Sequence, residues 1–397
     1  MLSLDEARRM IAESLHLLPA ERVRLAEAQG RFLRAPAFAV HDLPAFDRSA
    51  FDGYALAAQA GPGVLRLAFE VAAGGVPERA LAAGECARIF TGAPLPQGAE
   101  AVAMQEVCEV RDAGVLVPGI AAGEGVRRQG EDAREGSVLV PSGVWLGAVE
   151  LSLLAQMGHT EPVVAPRPRV FHVRTGEEVV APEVEPAPGQ IRDSNSTLIA
   201  ALVAEAGGVM AGSATAGDDL EDLVAACASA EDCEVLLISG GASVGDYDFG
   251  KAALAELGFS VRFAGINLRP GKPLIFATRG RQAAFVIPGN PLSHLVCWHA
   301  VMRAAMDVLI AGVTVLDLME LRLEGEDLKG NARETWWPAR VRIAGGVASV
   351  VPLKWRSSGD MTGMAGVDAL VRVGAGTEGV KRGSLVEVLR LGRGAGR

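Results

Sequence analysis

Paired cysteines, clustered histidines and a basic surplus are missing from this chain and aromatic residues are few, and each shortage narrows the classes of function. The five cysteines (Cys86, Cys108, Cys227, Cys233, Cys297) are an odd number without a CxxC pair, which argues against a disulfide framework and a thiolate zinc site. The six histidines show no zinc-ligand spacing; His294 and His299, five apart, fall on different faces of a helix. Aromatic residues make up only 5% of the chain and the net charge is −10, a balance that argues against a general nucleic-acid binder. An anionic ligand is still allowed, because at a Debye length of about 8 Å local loops outweigh the total charge. No uninterrupted apolar run reaches the roughly 18–20 residues of a membrane span. The start, Met1-Leu-Ser-Leu-Asp-Glu-Ala-Arg-Arg, lacks the basic-then-apolar layout of a signal peptide. A cytoplasmic protein with neither membrane nor nucleic-acid partner is the expectation.

What is present is an apolar, glycine-rich chain: 397 residues, 49% hydrophobic, 48 of them Gly. That length exceeds one ordinary core and suggests about two to four domains. Residues 4–15 repeat apolar side chains at helical spacing, with Ser3 and Glu6 placed as a capping box. From Ala45 to about Leu139 short apolar stretches broken by Gly and Pro (Leu65–Ala72, Cys86–Phe90, Ala101–Gln105, Gly114–Val117) predict a small β-rich domain. A helix is expected from about Leu146 to Met157. From Arg167, strand-like runs at Arg169–Val173, Val235–Ser239, Ser260–Ala264 and Ala284–Ile287 alternate with helical stretches at Ser196–Ala206, Leu220–Ala230, Phe249–Leu257 and Leu292–Ile310. This alternation predicts a parallel sheet covered on both faces. After Val313, apolar alternation with Gly-rich turns predicts a second small β domain, barrel-like.

Chemistry concentrates in the α/β region. The run Cys233-Glu-Val-Leu-Leu-Ile-Ser-Gly-Gly-Ala-Ser-Val-Gly-Asp-Tyr-Asp248 takes a buried strand into a loop with Ser239, Gly240, Gly241, Ser243, Gly245 and Asp246. Ligands of open α/β sheets sit beyond the carboxyl ends of strands, and glycines let backbone N–H groups approach phosphate oxygens. Asp246 or Asp248 suits Mg²⁺ against such phosphates; Asp248 equally suits a helix N-cap. In Asn267-Leu-Arg-Pro-Gly-Lys-Pro273, Arg269 and Lys272 flank a stiff turn. Two like charges about 4 Å apart repel by about 4 kcal/mol at a dielectric of 20, which favours an oxyanion between them over a merely solvated turn. Pro288, Gly289, Asn290 and Ser293 form a third strand-to-helix loop. Asp193 and Ser194 either cap a helix or touch a nucleotide, and Asp218 and Asp219 either cap the next helix or hold metal. In the N-terminal half, Asp47, Arg48, Asp52, Thr91, Gln105, Glu106 and Asp132 stand beside turns, where composition alone makes no site of them.

Taken in order, Asp47-Arg-Ser-Ala-Phe-Asp-Gly-Tyr54, Thr91-Gly-Ala-Pro94, Gly130-Glu-Asp132, Asp193-Ser-Asn195, Ser239–Asp248, Arg269–Pro273 and Pro288-Gly-Asn-Pro291 resemble the MoeA/gephyrin E-domain family, the molybdopterin molybdenumtransferases. Trp355-Arg-Ser-Ser-Gly-Asp-Met-Thr-Gly-Met-Ala365 is similar to that family's last-domain motif, and the match spans essentially the whole chain. The resemblance implies a multidomain fold. It has an elongated helical domain (1–44 and 138–166), a small β-rich domain (45–137), a MoaB/MogA-like three-layer α/β domain (167–313) and a C-terminal β-barrel-like domain (314–397). It implies a homodimer with its site between subunits, and transient contact with other cofactor-assembly proteins.

The implied reaction takes adenylylated molybdopterin and molybdate, inserts the metal and releases AMP with Mg²⁺ assisting. Asp218 and Asp246 would hold the Mg²⁺. Arg269, Lys272, Pro273, Ser293, Arg333 and Ser357 or Ser358 would surround the oxyanion, with Asp52, Thr91 and Asp132 approaching from the other subunit. Glu178 keeps the acid of the family's Ser-Thr-Gly-Asp-Glu segment, whereas Arg174 replaces its serine and Arg269 stands where Lys is usual. Two alternatives are the adenylyltransferase that prepares the substrate and a non-catalytic gephyrin-like scaffold.

Overall fold

The computed structural model describes residues 1–57, 61–217, 219–240 and 249–392. Packing divides them into two units: Met1–Glu21, Gly30–Phe32 and Val164–Arg397 in one, Arg22–Gln29 and Leu33–Val163 in the other. Sequence reading groups 1–44 with 138–166. By packing, the first helix, Leu4–Ser14, lies in the same unit as the α/β domain, its Leu4, Ala7 and Ile11 buried in that core. Its start is the capping box: Ser3 Oγ accepts the Glu6 amide at 3.3 Å, and the Ser3 amide donates to Glu6 at 2.8 Å.

The α/β sheet has six strands in the order Val209–Ala216, Arg169–Thr175, Val235–Ser239, Gln282–Ile287, Ile275–Arg279, Ser260–Ala264. Its first four strands are parallel. Central strand Val235–Ser239 is buried throughout, as a strand covered on both faces must be. Its side chains alternate: Val235 and Leu237 join the core under helices Asn195–Glu205 and Pro291–Ala311, while Leu236 and Ile238 join the core under Leu220–Ala228 and Gly250–Glu256. Each fully buried side chain of this size contributes about 1.5–3 kcal/mol.

The strands expected from the sequence run parallel, and one further strand breaks the pattern. Strand Ile275–Arg279 runs antiparallel to both neighbours, because Gly280 (φ +57°) and Arg281 close a two-residue hairpin between Arg279 and Gln282. Strand Val209–Ala216 escapes sequence reading because it is an edge strand of small, alternately exposed residues. Helix Pro291–Ala311 is long and apolar enough to cross a membrane, yet 83% of its apolar window is buried. It is the core helix of the α/β domain, with a π turn at Trp298–Met302 and a left-handed Gly312 as its stop.

The last domain closes into a five-stranded barrel: Glu334–Ala344, Val347–Pro352, Leu318–Leu323, Leu385–Arg390, Ala369–Val373 and back to the first. Closure leaves no unpaired edge, and Leu323, Ala339, Val350, Val371 and Val388 fill it. Strand Leu268–Arg269 of the α/β domain adds to this barrel, parallel to Glu334–Thr335. The second unit holds its own six-stranded sheet, in the order Ala99–Met104, Gly53–Ala57, Glu85–Ile89, Gly63–Val71, Gly114–Val117, Glu109–Arg111, together with helix Ala148–Gln156.

Gly271 sets a sharp local requirement. At φ +117° a Cβ there would press into Cys297 of the core helix and lie 3.1 Å from Leu268. Gly271→Ala is expected to lose about 2–4 kcal/mol in urea unfolding, whereas Gly280→Ala, with open space around it, loses about 1 kcal/mol. Equal losses would show that packing on Cys297 does not govern this turn.

Candidate active site

Strand register decides which residues can meet. Arg174 pairs with Ser239, and Ser239 with Ile287, so three neighbouring parallel strands end level. The segments that follow them therefore leave one edge together, as ligand sites of α/β sheets require. Asn195 Nδ2 donates to the Gly289 carbonyl at 2.7 Å, which ties the Asp193–Asn195 segment to the Pro288–Asn290 loop.

Several sequence candidates have structural partners here. Asp193 is 5% exposed; it accepts the Ser196 amide at 2.9 Å and Arg174 Nη1 at 2.9 Å. It is thus the cap of helix Asn195–Glu205 and the partner of the unusual Arg174, while Ser194 makes no side-chain cap. Burial pushes the Asp193 carboxyl up, but the Ser196 hydrogen bonds and Arg174 together hold it below the usual range. The Gly240 amide donates to the Ile287 carbonyl at 2.9 Å. At φ +95° any Cβ on Gly240 would overlap Thr175. Asp219 caps its helix by accepting the Asp222 amide at 2.8 Å. Gly241, Ser243, Gly245, Asp246 and Asp248, with Asp218, lie outside the described residues. Among the described residues no group of three His, Cys, Asp or Glu could hold a metal ion. Glu178 is exposed; its carbonyl accepts the Ile191 amide at 2.8 Å.

The basic loop and the barrel meet. Arg269 pairs with Thr335, and its guanidinium lies 5.6 Å from the Trp355 ring centroid, a cation–π distance. Arg333 Nη1 donates to the Leu268 carbonyl at 3.4 Å, and the Leu292 amide donates to the Ser358 carbonyl at 3.0 Å. Two links thus join these segments: Arg269 and Arg333 stand at the shared strand, and the Ser357–Ser358 turn is bonded to the start of the helix that carries buried Ser293. Pro273 leads into strand Ile275–Arg279. Lys272 and Arg262 line a cavity of about 370 Å³ with Met1, Leu2, Met10 and Phe263.

In the other unit, antiparallel pairing sets Gly53 opposite Ile89, so Asp52 and Thr91 emerge side by side. Asp52 Oδ1 accepts the Thr91 amide at 2.8 Å and its hydroxyl at 2.7 Å. The Thr91 amide, then its hydroxyl, lower the Asp52 pKa. Asp132 accepts Arg127 Nη2 at 2.6 Å, and Asp47 accepts Arg128 Nη1 at 2.7 Å.

Sequence reasoning missed His172, Ser196 and the role of His294. His172 Nε2 and His294 Nε2 lie 2.7 and 2.8 Å from Ser239 Oγ, and Ser196 Oγ lies 3.2 Å from His172 Nδ1. The only signal was one polar residue inside the apolar strand Val170-Phe-His-Val173. Burial pushes both imidazoles down to about 4. Unfolded, each protonates near 6.5, so their neutral burial costs nothing above that pH and destabilises as pH falls from 6.5 towards 4. Unfolding free energy should fall by roughly 2 kcal/mol per imidazole between pH 7.5 and 5. Urea titrations at both pH values check this; a His172→Leu variant should lose its share of the slope, and equal slopes in variant and wild type would contradict it.

Comparison with known proteins agrees with this architecture. Residues 2–158 match the model described as MoeA N-terminal region (domain I and II), residues 172–307 the probable molybdopterin binding domain, and residues 323–391 the MoeA C-terminal region (domain IV). Molybdopterin molybdenumtransferase 2 of Mycobacterium tuberculosis is 34% identical over 317 residues, 76% of this chain and 78% of the relative. The molybdopterin molybdenumtransferase of Nostoc sp. is 32% identical over 392 residues, 94% of this chain and 88% of the relative. The crystal structure of a molybdopterin biosynthesis MoeA protein from Pyrococcus horikosii superposes with a TM-score of 0.82 at 30% identity, covering 99% of this chain and 100% of that one. The chain belongs to the MoeA family.

Proposed function

We propose that this chain is a molybdopterin molybdenumtransferase: it takes adenylylated molybdopterin and molybdate, transfers the metal to the pterin dithiolene and releases AMP. The observation that carries the reading is the pairing of Leu268–Arg269 with the barrel strand, beside which Arg269 and Arg333 both stand, with Trp355, two residues before Ser357, against the Arg269 guanidinium. Guanidinium and hydroxyl donors suit a tetrahedral oxyanion, and charge-assisted bonds are the strong ones. In this reading Lys272, which lines the neighbouring cavity with Arg262, and Ser293 would turn to the anion, with Pro273, Pro288, Gly289 and Asn290 shaping the loops beside it. Family regions matched on both sides of the α/β domain favour the transferase over an adenylyltransferase confined to that domain.

In this reading the AMP end of the substrate lies against the loop after Ser239 and the segment from Asp193. Mg²⁺ between Asp218 and Asp246 would neutralise charge on the phosphoanhydride. Asp52, Thr91 and Asp132 act from a second copy of the chain, so the working enzyme is a cytoplasmic homodimer that receives substrate from other cofactor-assembly proteins. Asp52 serves as a fixed carboxylate: Thr91 holds it ionised through the neutral range. It can therefore orient a donor at the reacting phosphate without leaving its own position. Glu178, at the exit of strand Arg169–Thr175, is the carboxylate contributed by the α/β domain.

AMP release from adenylylated molybdopterin tests these roles. Asp52→Ala should lower kcat by about 100-fold or more while the protein stays folded. Lys272→Ala should raise the molybdate concentration needed for half-saturation about 10-fold. Undiminished turnover in the first variant, or an unchanged molybdate titration in the second, would remove that residue from the site.

A further inference from the structure

Ser239 is 4% exposed, and its hydroxyl lies between the imidazoles of His172 and His294, residues each 1% exposed. Hydrogen-bond chemistry orders the whole group. His294 Nδ1 is 3.1 Å from the Asn290 carbonyl, and a carbonyl only accepts, so Nδ1 carries the proton and Nε2 of the neutral ring has a free lone pair. Ser239 donates its one proton to that lone pair at 2.8 Å. Towards His172 it must then accept, so His172 carries its proton on Nε2, at 2.7 Å. His172 Nδ1 is left as the acceptor for the Ser196 hydroxyl at 3.2 Å. One directed chain thus runs Ser196, His172, Ser239, His294, Asn290. Its links sit in the middle of strand Arg169–Thr175, at the end of strand Val235–Ser239 and at two helix starts. The Ser239 carbonyl accepts Thr175 Oγ1 at 3.3 Å, so the root of the following loop is held by both side chain and backbone.

We propose that His172 and His294 are positioning residues that lock three loops, at 193–196, 239–240 and 288–290, into one arrangement for the phosphate end of the substrate. Ser239 is accordingly the clamp point of the loop and offers no proton to a ligand. The two imidazoles hold opposite tautomers, a condition that neither a solvated histidine nor a metal ligand would need. The proposal rests on the transferase reading for the identity of the substrate, and on geometry alone for the lock.

Two experiments decide it. In protein labelled with ¹⁵N-histidine, long-range ¹H–¹⁵N spectra should show one buried ring protonated at Nδ1 and another at Nε2, unchanged from pH 8 to pH 6. Identical tautomers, or ordinary titration of both rings, would overturn the lock without any variant. In steady-state AMP release, His172→Leu should raise KM for adenylylated molybdopterin at least about 10-fold with kcat within about 3-fold. His172→Gln, whose amide N–H replaces Nε2–H, should restore KM to within about 3-fold of wild type. Should His172→Leu fail to fold, Ser239→Ala must show the same KM rise. A wild-type KM in a folded His172→Leu or Ser239→Ala protein, or no rescue by glutamine, refutes positioning. Absence of AMP release by the wild-type enzyme would refute the transferase reading instead, leaving the tautomer result to judge the lock.

Discussion

Level endings of three parallel strands constrain everything at this site. Arg174, Ser239 and Ile287 stand in one row across the sheet, which forces the following segments to share a single edge. Backbone groups at that row are then consumed internally: the Gly240 amide by Ile287, the Ser239 carbonyl by Thr175. Buried polar groups must be satisfied in this way or destabilise the fold. The outcome is a row of strand ends whose backbone groups are satisfied within the fold.

A second constraint is the strand shared between domains. Leu268–Arg269 leaves the α/β core and joins the barrel, so the basic loop and the last-domain turn are placed by backbone hydrogen bonds instead of by long side chains. Trp355 then supports the Arg269 guanidinium from one face and packs edge-on against Trp337 at 5.6 Å. An Arg in this position gains a planar stacking surface that Lys lacks, which gives the chain's departure from the usual lysine a physical reason.

Local signals in the sequence were read correctly where one element sufficed to produce them. The buried run Val235–Ser239, the Ser3–Glu6 capping box and the period of Leu220–Ala228 are properties of neighbouring residues, and they formed as expected. Of the hairpin at Gly280, the sequence showed only the second strand; the first, Ile275–Arg279, has three apolar residues before Thr278 and Arg279, too short a run to stand out. Asp193 looked equally like a cap or a ligand contact; the Arg174 pairing that buries it is separated by 19 residues. The histidine chain was illegible, since it joins residues from four elements and no spacing along the chain encodes it. Asp52 and Thr91 were visible only as turn residues and joined a site through resemblance alone; the Gly53–Ile89 register explains their contact.

The central claim is that this chain consumes an already adenylylated pterin together with molybdate. The direct measurement is a paired incubation of the purified protein with Mg²⁺, either with molybdopterin plus ATP or with adenylylated molybdopterin plus molybdate, following AMP and the metal-loaded pterin by chromatography. The account predicts that only the second pair is consumed, with AMP and metal-loaded pterin appearing in equal amounts. Consumption of the first pair alone would contradict it.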